Sequence, residues 1–353
     1  MTRSFWATVP FWIAYLLPPL IVICVYNRGW FAWVPIVVVF VLLPAIDALS
    51  GRAERSREAP DLAFNNWFRV VTWAWVPVQT ALIAWLVRTV PLEHLSTWEI
   101  VAATVSVGAT TGAIGMTFAH ELIHRRQEYE RTMGGILLAS VTYPHFAIEH
   151  VKGHHRHVGT PRDPATARRG ESVYRFLPRT VLRSLADAWR IERKRLGEQE
   201  RRTWSTHNLM LRYALLEAAI YGAIAFAFGR IGVAVFAGQS AVAIAILEII
   251  NYVEHYGLQR QKDKTKPWVY APVGPEDSWD SPSRVSNWLL INLPRHSDHH
   301  LSVAKRYQSL ELLHHAPHLP GGYGVIFLLA LVPPLWFRVM NPRVDAVRRG
   351  TSI

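Results

Sequence analysis

The sequence predicts an all-α integral membrane protein with six transmembrane helices and a histidine-rich cytoplasmic domain. Of its 353 residues, 50% are hydrophobic and only 18% are charged, against about 25% charged residues in a typical soluble domain. The apolar residues are concentrated in blocks close to the ~20 residues that cross a bilayer as a helix. The chain also contains 16 histidines but a single cysteine, which excludes a disulfide framework, cysteine-ligated zinc and an iron–sulfur cluster.

Six apolar blocks justify the predicted helices. They occupy residues 5–26, 30–46, 67–87, 98–119, 207–228 and 231–250. The expected organisation is a single structural domain that consists of transmembrane helices one to four in 1–119, a histidine-containing cytoplasmic segment in 120–206, helices five and six in 207–250, and a second such segment in 251–353.

Three further stretches predict helical elements that do not cross the bilayer. Residues 133–148 and 323–337 are apolar but too short to span, and both contain proline, so we expect re-entrant or interfacial elements there. Residues 179–202 carry apolar side chains at helical spacing among charged ones. This pattern is typical of an amphipathic surface helix.

The basic residues predict the orientation of the spans. The loop after the second span contains Arg52, Arg55, Arg57 and Arg69. The loop 88–97 is nearly neutral, whereas 120–202 is rich in arginine. Because positive residues accumulate on the cytoplasmic side, we expect a multi-pass protein of the cell inner membrane with both termini in the cytoplasm. This accounts for most of the net charge of +12. The arginines flank spans and form no separate basic domain, so nucleic-acid binding is not expected.

Nine histidines form four clusters that follow span ends or lie in the cytoplasmic segments. They are His120, His124, His150, His154, His155, His255, His296, His299 and His300. Three pairs are spaced i, i+4 and should share a helix face and one ion: His120 and His124, His150 and His154, His296 and His300. Adjacent His154 and His155 should instead serve two neighbouring ions. Nine imidazoles exceed the four ligands of one zinc ion, so two metals are expected; the spacing alone does not choose between iron, zinc, copper and nickel.

Acidic residues beside these histidines are expected to support them. They are Glu121, Glu149, Glu254 and Asp298. A ligating imidazole usually holds its second ring nitrogen against a carboxylate or a carbonyl, and this is the role we assign, with direct ligation by one of the four left open. The other histidines are interpreted as ordinary polar residues: His94, His145, His157, His207, His314, His315 and His318.

The order of these motifs resembles a known family. HELIH, EHVKGHH, NYVEHYGLQR and LPRHSDHH are similar to the motifs of the integral-membrane alkane hydroxylases, or alkane 1-monooxygenases. Relatives of that family include the xylene monooxygenase hydroxylase and, more distantly, the membrane fatty-acid desaturases. The similarity extends through 159–167, 170–171 and 306–308 to the segments 319–323 and 331–336. Two departures are Pro294, where glutamine is usual, and Arg125, where lysine is common.

The resemblance implies an enzyme. In that family the clustered histidines hold two non-haem irons, so the nine histidines above are the implied ligands. The implied reaction is O₂-dependent hydroxylation of the terminal methyl group of a hydrocarbon, with medium-chain n-alkanes first and alkyl or methyl aromatics second. No glycine-rich dinucleotide motif and no cysteine cluster occur in the sequence. Electrons should therefore come from a separate rubredoxin or ferredoxin with its NAD(P)H-dependent reductase. Candidates for steering it are Lys152, Arg156, Arg162 and Arg168, with contact to lipid headgroups or solvated charge as the open alternative.

A substrate dissolved in the bilayer would reach the irons between the spans. Candidate lining residues are Trp73, Trp75, Trp85, Phe118, Gly108, Gly112 and Gly115. Ordinary helix packing is the favoured interpretation of each one, because small residues let helices approach closely and tryptophan anchors at membrane interfaces.

Three alternatives compete with this interpretation. A fatty-acyl hydroxylase or desaturase would use the same metals. An intramembrane zinc protease would use the H-E-x-x-H pattern of HELIH, with Glu121 as the base, but it leaves six histidines without a role. A metal transporter would place its ligands near the membrane midplane, whereas these clusters follow the predicted span ends.

Overall fold

The chain is almost entirely helical where it can be described. The computed structural model describes residues 5–53, 66–263, 265–266 and 269–350, so Arg55 and Arg57 of the basic loop lie outside the described residues. In these ranges β structure is confined to isolated bridges, such as that between Arg52 and Ser283. The predicted all-α class is confirmed.

The helices are numbered here in chain order. They are α1 (Leu17–Tyr26), α2 (Val34–Val37), α3 (Leu43–Leu49), α4 (Asn66–Leu92), α5 (Thr97–Thr110), α6 (Met116–Ile123), α7 (Glu128–Ala139), α8 (Phe146–Glu149), α9 (His155–His157), α10 (Val173–Glu198), α11 (Leu209–His255), α12 (Arg284–Leu289), α13 (His296–Leu301), α14 (Tyr323–Ala330) and α15 (Pro333–Arg348). The 3₁₀ segments are Val9–Leu16, Gly29–Trp33, Pro275–Asp277 and Tyr307–Ser309. The π segments are Val38–Leu42, Thr111–Gly115 and His150–His154.

Among the described residues, five helical runs are long and apolar enough to cross a membrane. They are Val9–Tyr26, Gly29–Leu49, Asn66–Leu92, Thr97–Ile123 and Leu209–His255. Helices α14 and α15 pass the same test only as a pair and are bent by 119° at their junction. A bend of this size is compatible with a broken span or with a re-entrant element, as expected for 323–337.

The fifth and sixth predicted spans both lie in α11, which consists of two helices joined at a kink. Together they have 47 residues, about twice the ~20 residues that cross a bilayer as a helix. The chain leaves helical geometry at Gly229, where φ is 63° and ψ is −160°. Glycine adopts this left-handed conformation without a Cβ clash. The break falls at the predicted turn, so we assign both spans to α11.

Two compact units make up the fold, and each combines stretches that are distant in sequence. The first unit comprises Met1–Val41, Asn65–Val151 and Leu185–Leu247. The second comprises Leu42–Phe64, Lys152–Ser184 and Glu248–Ile353.

The first unit is built on close packing of its spanning helices. Ile21, Leu86 and Val107 are fully buried in one apolar cluster. A Cβ added to Gly112 would lie 2.7 Å from the Ala243 backbone. The equivalent atom at Gly108 would lie 2.6 Å from the Val242 side chain. These glycines therefore permit close helix contact, which supports the packing interpretation of the small residues.

The stretch 133–148, where a re-entrant or interfacial element is expected, forms a hairpin between α7 and α8. Helix α7 packs on α6, with Gly134 so close that an added Cβ would lie 3.0 Å from the Ala119 carbonyl oxygen. The chain then turns at Thr142, whose φ is 56°, and returns through α8. The hairpin brings the chain from His124 back to His150.

Two glutamines from spanning helices hold the turn of this hairpin. Gln79 donates from Nε2 to Ser140 Oγ at 2.7 Å and accepts from Trp75 Nε1 at 2.8 Å. Gln239 donates from Nε2 to the Ser140 carbonyl at 3.0 Å. Non-helical backbone at membrane depth is tolerated when protein groups satisfy it. The polar side chains of these apolar helices therefore have a structural role.

The second unit is held by a buried carboxylate on α3. Asp47, 4% exposed, accepts hydrogen bonds at Oδ1 from the backbone amides of Val285 at 2.7 Å and Ser286 at 3.1 Å. These are amides of the first turn of α12, where a negative charge is favourable. Ser286 Oγ in turn accepts from the Tyr323 amide at 3.0 Å, which joins α3, α12 and α14.

The predicted surface helix is real, but its predicted start is wrong. Helix α10 begins at Val173 rather than at residue 179. It contains Pro178, whose missing amide removes one helical hydrogen bond. The salt bridge of Arg179 to Glu171, at 2.8 Å, ties this part of the helix to the preceding loop and offsets that loss.

We expect Gln79→Leu to destabilise the protein, because it leaves Ser140 without that donor. Such buried unsatisfied groups cost about 1–3 kcal/mol. Thermal unfolding in detergent should show a lower Tm. Thr80→Val is the matched control: Thr80 is exposed on the same helix and donates to the Val76 carbonyl, so its Tm should stay near wild type. An unchanged Tm for Gln79→Leu would contradict the assigned role.

Candidate metal centre

Three predicted ligands come together in the first unit. His120 and His124 lie at the end of the span that closes with α6, and their ring centroids are 4.9 Å apart. The ring of His150 lies 4.5 Å from that of His120 and 5.2 Å from that of His124. His120 and His150 are buried, and His124 is partly exposed. The hairpin thus supplies the third imidazole of this group.

Four other predicted ligands converge in the second unit; this set is called the four-histidine group. It consists of His154, His255, His296 and His300, all buried. The Nε2 atoms follow one another at 3.3 Å (154 to 300), 3.0 Å (300 to 296) and 3.1 Å (296 to 255). Metal–nitrogen bonds of about 2.1 Å place neighbouring ligand nitrogens about 3.0–3.4 Å apart. The spacing fits one shared ion.

Hydrogen bonds between the rings cannot account for this arrangement. A neutral imidazole nitrogen carries either one proton or one lone pair, so it completes one such bond. The Nε2 atoms of His296 and His300 each face two others. At most two of the three contacts can therefore be hydrogen bonds, whereas four lone pairs directed at a cation satisfy every nitrogen.

Electrostatics keeps the group in its metal-binding form. Burial and the neighbouring imidazoles lower the pKa of His300 well below its ordinary value. The ring is therefore neutral at physiological pH, as a metal ligand must be.

A further close pair in the second unit contains the other two predicted ligands. The Nε2 atoms of His155 and His299 are 3.2 Å apart, and the ring of His155 lies 4.5 Å from that of His300. His299 is buried and His155 is partly exposed. All nine predicted ligands therefore have other predicted ligands as close neighbours.

The structure brings two of the three i, i+4 pairs together, whereas the predicted pairing of His150 with His154 is wrong. His120 with His124, and His296 with His300, share a group. His150 and His154 do not: His150 packs with His120, and His154 belongs to the four-histidine group. The physical reason is the hydrogen bond at the far side of the His154 ring, which directs its Nε2 toward His300.

That hydrogen bond comes from Asp163, which sequence reasoning missed. The Nδ1 of His154 lies 3.1 and 3.0 Å from the two carboxylate oxygens of Asp163. Asp163 also accepts from the Ala165 amide and the Thr166 hydroxyl. Burial raises its pKa, but the imidazole of His154 and the Thr166 hydroxyl bring it below the ordinary value. The carboxylate therefore stays ionised and fixes the ring. The signal available was the segment 159–167, which the resemblance includes.

The four acidic residues singled out in the sequence have different surroundings. Asp298 accepts at Oδ2 from Lys305 Nζ at 2.8 Å and from the Glu311 amide at 2.7 Å. Glu254 Oε2 lies 3.3 Å from His296 Nε2, which is the nitrogen that faces the group and not the outer one. For Glu121 and Glu149, both buried, the supporting role stays a prediction. His145, which has no assigned ligand role, packs edge-on against Tyr143.

These features define a class of protein: a helical membrane protein with buried clusters of imidazoles suited to metal ions. The model of the fatty acid desaturase family matches residues 96–330. Alkane 1-monooxygenase 2 of Pseudomonas aeruginosa is 40% identical over 92% of this chain and 87% of its own length. Alkane 1-monooxygenase of Pseudomonas putida is 38% identical over 97% and 85%. The xylene/toluene monooxygenase hydroxylase component of Pseudomonas putida is 27% identical over 93% and 87%. The chain belongs to the alkane 1-monooxygenase family, a family of oxidoreductases.

We expect Asp163→Asn to weaken metal binding about 10- to 100-fold, the usual effect of removing a carboxylate that orients a ligating histidine. The affinity is measured by competition with a chelator on the purified apoprotein. Asp345→Asn is the control, because Asp345 forms an exposed ion pair with Arg169 in the same unit. Equal affinities of Asp163→Asn and wild type would exclude the orienting role.

Proposed function

We propose that the protein hydroxylates the terminal methyl group of a hydrocarbon to a primary alcohol, using O₂ at a non-haem di-iron site. Medium-chain n-alkanes are the favoured substrates. The observation that carries the proposal is the convergence of four buried imidazole nitrogens in a chain of the alkane 1-monooxygenase family. The names of the relatives supply the substrate class.

The metal is proposed to be iron, with two ions per chain. One ion is assigned to the four-histidine group. A second ion is proposed on the argument that nine imidazoles exceed the needs of one ion. The other proposed ligands are His120, His124 and His150 in the first unit and His155 and His299 in the second. Bound iron would supply the activation of O₂ and the electron transfer to it.

The side chains themselves would position the metals and exclude water. His154, His255, His296 and His300 are all at most 6% exposed, so a metal held among them is shielded from solvent. Trp279, fully buried, donates from Nε1 to the Tyr256 carbonyl at 2.9 Å and closes the turn that follows His255. A site dry on this side protects reactive species from side reactions with water.

The electron donor is proposed to be a separate rubredoxin or ferredoxin with its NAD(P)H-dependent reductase. The four basic candidates, Lys152, Arg156, Arg162 and Arg168, are all exposed on the second unit. Arg156 directly follows the ligand candidate His155. Exposed positive charge of this kind accelerates docking of an acidic partner.

The proposed setting is the cell inner membrane, with both termini and the metal ions on the cytoplasmic side. It rests on the distribution of arginine and on the apolar runs of the described chain. The predicted boundaries between transmembrane and cytoplasmic segments, at residues 119, 206 and 250, follow from the same topology. O₂ and a bilayer-dissolved hydrocarbon then approach through the lipid phase.

The activity is tested by expressing the full chain with a rubredoxin and its reductase. Alkanes, toluene, xylenes and fatty acids are supplied, and products are identified by gas chromatography with mass spectrometry. We expect a terminal alcohol from at least one n-alkane. A product set restricted to benzylic alcohols would transfer the assignment to alkyl aromatics, and double bonds in acyl chains would overturn it in favour of a desaturase.

We expect His299→Ala and His150→Ala to abolish turnover and to lower the iron content by about one ion per chain, because ligand loss removes binding energy at the site. Iron is measured by mass spectrometry of the purified protein. His145→Ala is the matched control, since His145 is also buried but packs on Tyr143, and it should retain both ions. Wild-type iron in His299→Ala or His150→Ala would refute that ligand assignment, and loss of iron from His145→Ala would refute the specificity of the effect.

A further inference from the structure

Two ligands of the four-histidine group lie at the ends of different helices. His255 is the last residue of α11, and His296 is the first residue of α13. Their Nε2 atoms are 3.1 Å apart. Two rings can bind one ion only when both are held in the right geometry by their surroundings. Contacts that join these two helix ends therefore bear directly on metal binding.

Residues 278–280 join the two helix ends. On the side of α11, the backbone amide of Trp279 donates to the Glu254 carbonyl at 2.9 Å. The indole Nε1 of Trp279 donates to the Tyr256 carbonyl, also at 2.9 Å. Trp279 thus holds the residue directly before His255 and the residue directly after it.

On the side of α13, the contact is made through Ser297, the residue that follows His296. The backbone amide of Ser297 donates to Asp280 Oδ1 at 2.7 Å, and its hydroxyl donates to the Ser278 carbonyl at 3.0 Å. An amide in the first turn of a helix has no partner within the helix, and a buried amide must be paired elsewhere. Ser278, Asp280 and Ser297 are all fully buried. The amide of Ser297 therefore depends on the Asp280 carboxyl group.

The backbone of Asp280 is itself fixed on both sides. Its amide donates to the Pro317 carbonyl at 2.9 Å, and its carbonyl accepts from the Leu319 amide at 2.8 Å. The next amide, that of Ser281, donates to the Pro294 carbonyl at 2.8 Å. The Asp280 side chain thus extends from a backbone that is held by neighbouring segments, so its Oδ1 defines one position for the start of α13.

We propose that Asp280 is a positioning residue of the four-histidine group. Its carboxyl group fixes the start of α13, which carries His296 and His300, against the end of α11. This inference rests on the proposed function, because it requires that the group holds a metal. Asp280 is not among the donor atoms of the group and acts through the Ser297 amide. The acceptor atom Oδ1, rather than the negative charge, is what the position requires.

Two substitutions separate the acceptor from the charge. Asp280→Asn keeps Oδ1 and removes the charge, whereas Asp280→Ala removes both and leaves the Ser297 amide unpaired. Cobalt(II) is titrated into the purified full-length apoprotein in detergent, because its visible absorption follows the geometry of its ligands. We expect about 10-fold weaker binding of one cobalt ion and a changed spectrum for Asp280→Ala. Asp280→Asn should match wild type in both.

Asp47→Ala is the matched control. Asp47 is also buried in the second unit, and it accepts from the first-turn amides of Val285 and Ser286 in α12, a helix without predicted ligands. Both alanine variants should lower the Tm, because each leaves buried amides unpaired. Only Asp280→Ala should change the affinity and the spectrum. Equal changes in both variants would show an effect of general stability and would overturn the positioning role.

The outcomes separate this inference from the proposed function. If wild type binds neither cobalt nor iron, the metal centre itself fails. If wild type binds metal and Asp280→Ala matches it, or if Asp280→Asn is as impaired as Asp280→Ala, the positioning role fails and the metal centre stands. If Asp280→Ala does not fold, Asp280→Ser replaces it, since the shorter side chain loses the 2.7 Å contact with the Ser297 amide. A wild-type spectrum and affinity in Asp280→Ser would equally overturn the inference.

Discussion

The convergence of buried imidazole nitrogens is the constraint on which the second unit depends. His154, His255 and the pair His296 and His300 come from three separate stretches of the chain, yet their Nε2 atoms lie 3.0–3.3 Å from their nearest partners. Neutral imidazoles at this spacing cannot all be satisfied by one another. A cation changes the balance, because each lone pair then gains a partner and the ion joins stretches that are otherwise joined by loops. Binding of a cation to this group would therefore also stabilise the unit.

The constraint on the first unit is a turn. The chain must return from His124 to His150 among packed apolar helices. A turn interrupts the helical hydrogen bonds at Ser140–Thr142, and its buried polar groups need partners within the protein. Gln239 donates to the Ser140 carbonyl and Gln79 donates to the Ser140 hydroxyl. Gly115 leaves room for Gln79, since a Cβ there would lie 1.9 Å from Gln79 Oε1. Two features that look unrelated in sequence, a glycine and a glutamine in apolar helices, thus serve one turn.

Spacing along the chain predicted much of this architecture but not the direction of individual side chains. The apolar blocks predicted the spanning helices because bilayer thickness fixes their length, and the break at Gly229 fell where expected. The histidine clusters predicted which residues meet. Spacing failed for His150 and His154, because the partner that turns the His154 ring, Asp163, comes from a loop without helical periodicity. It failed for Glu254 for a related reason: adjacency to His255 in sequence does not tell which nitrogen of which ring the carboxylate will face.

The loop 159–171 has no helical periodicity, but the resemblance to the alkane hydroxylases includes it. The start and the middle of the loop form hydrogen bonds with the chain that follows His255. The Arg260 amide donates to the Gly159 carbonyl at 2.9 Å, and the Gly257 amide donates to the Ala167 carbonyl at 2.9 Å. Its end receives the Tyr252 hydroxyl at the Glu171 carbonyl, at 2.7 Å. The loop is therefore fixed to both sides of His255 while its Asp163 holds His154. Two ligands that are about 100 residues apart are thereby oriented by one short segment, so a change in this loop should alter metal binding even though none of its residues is a proposed ligand.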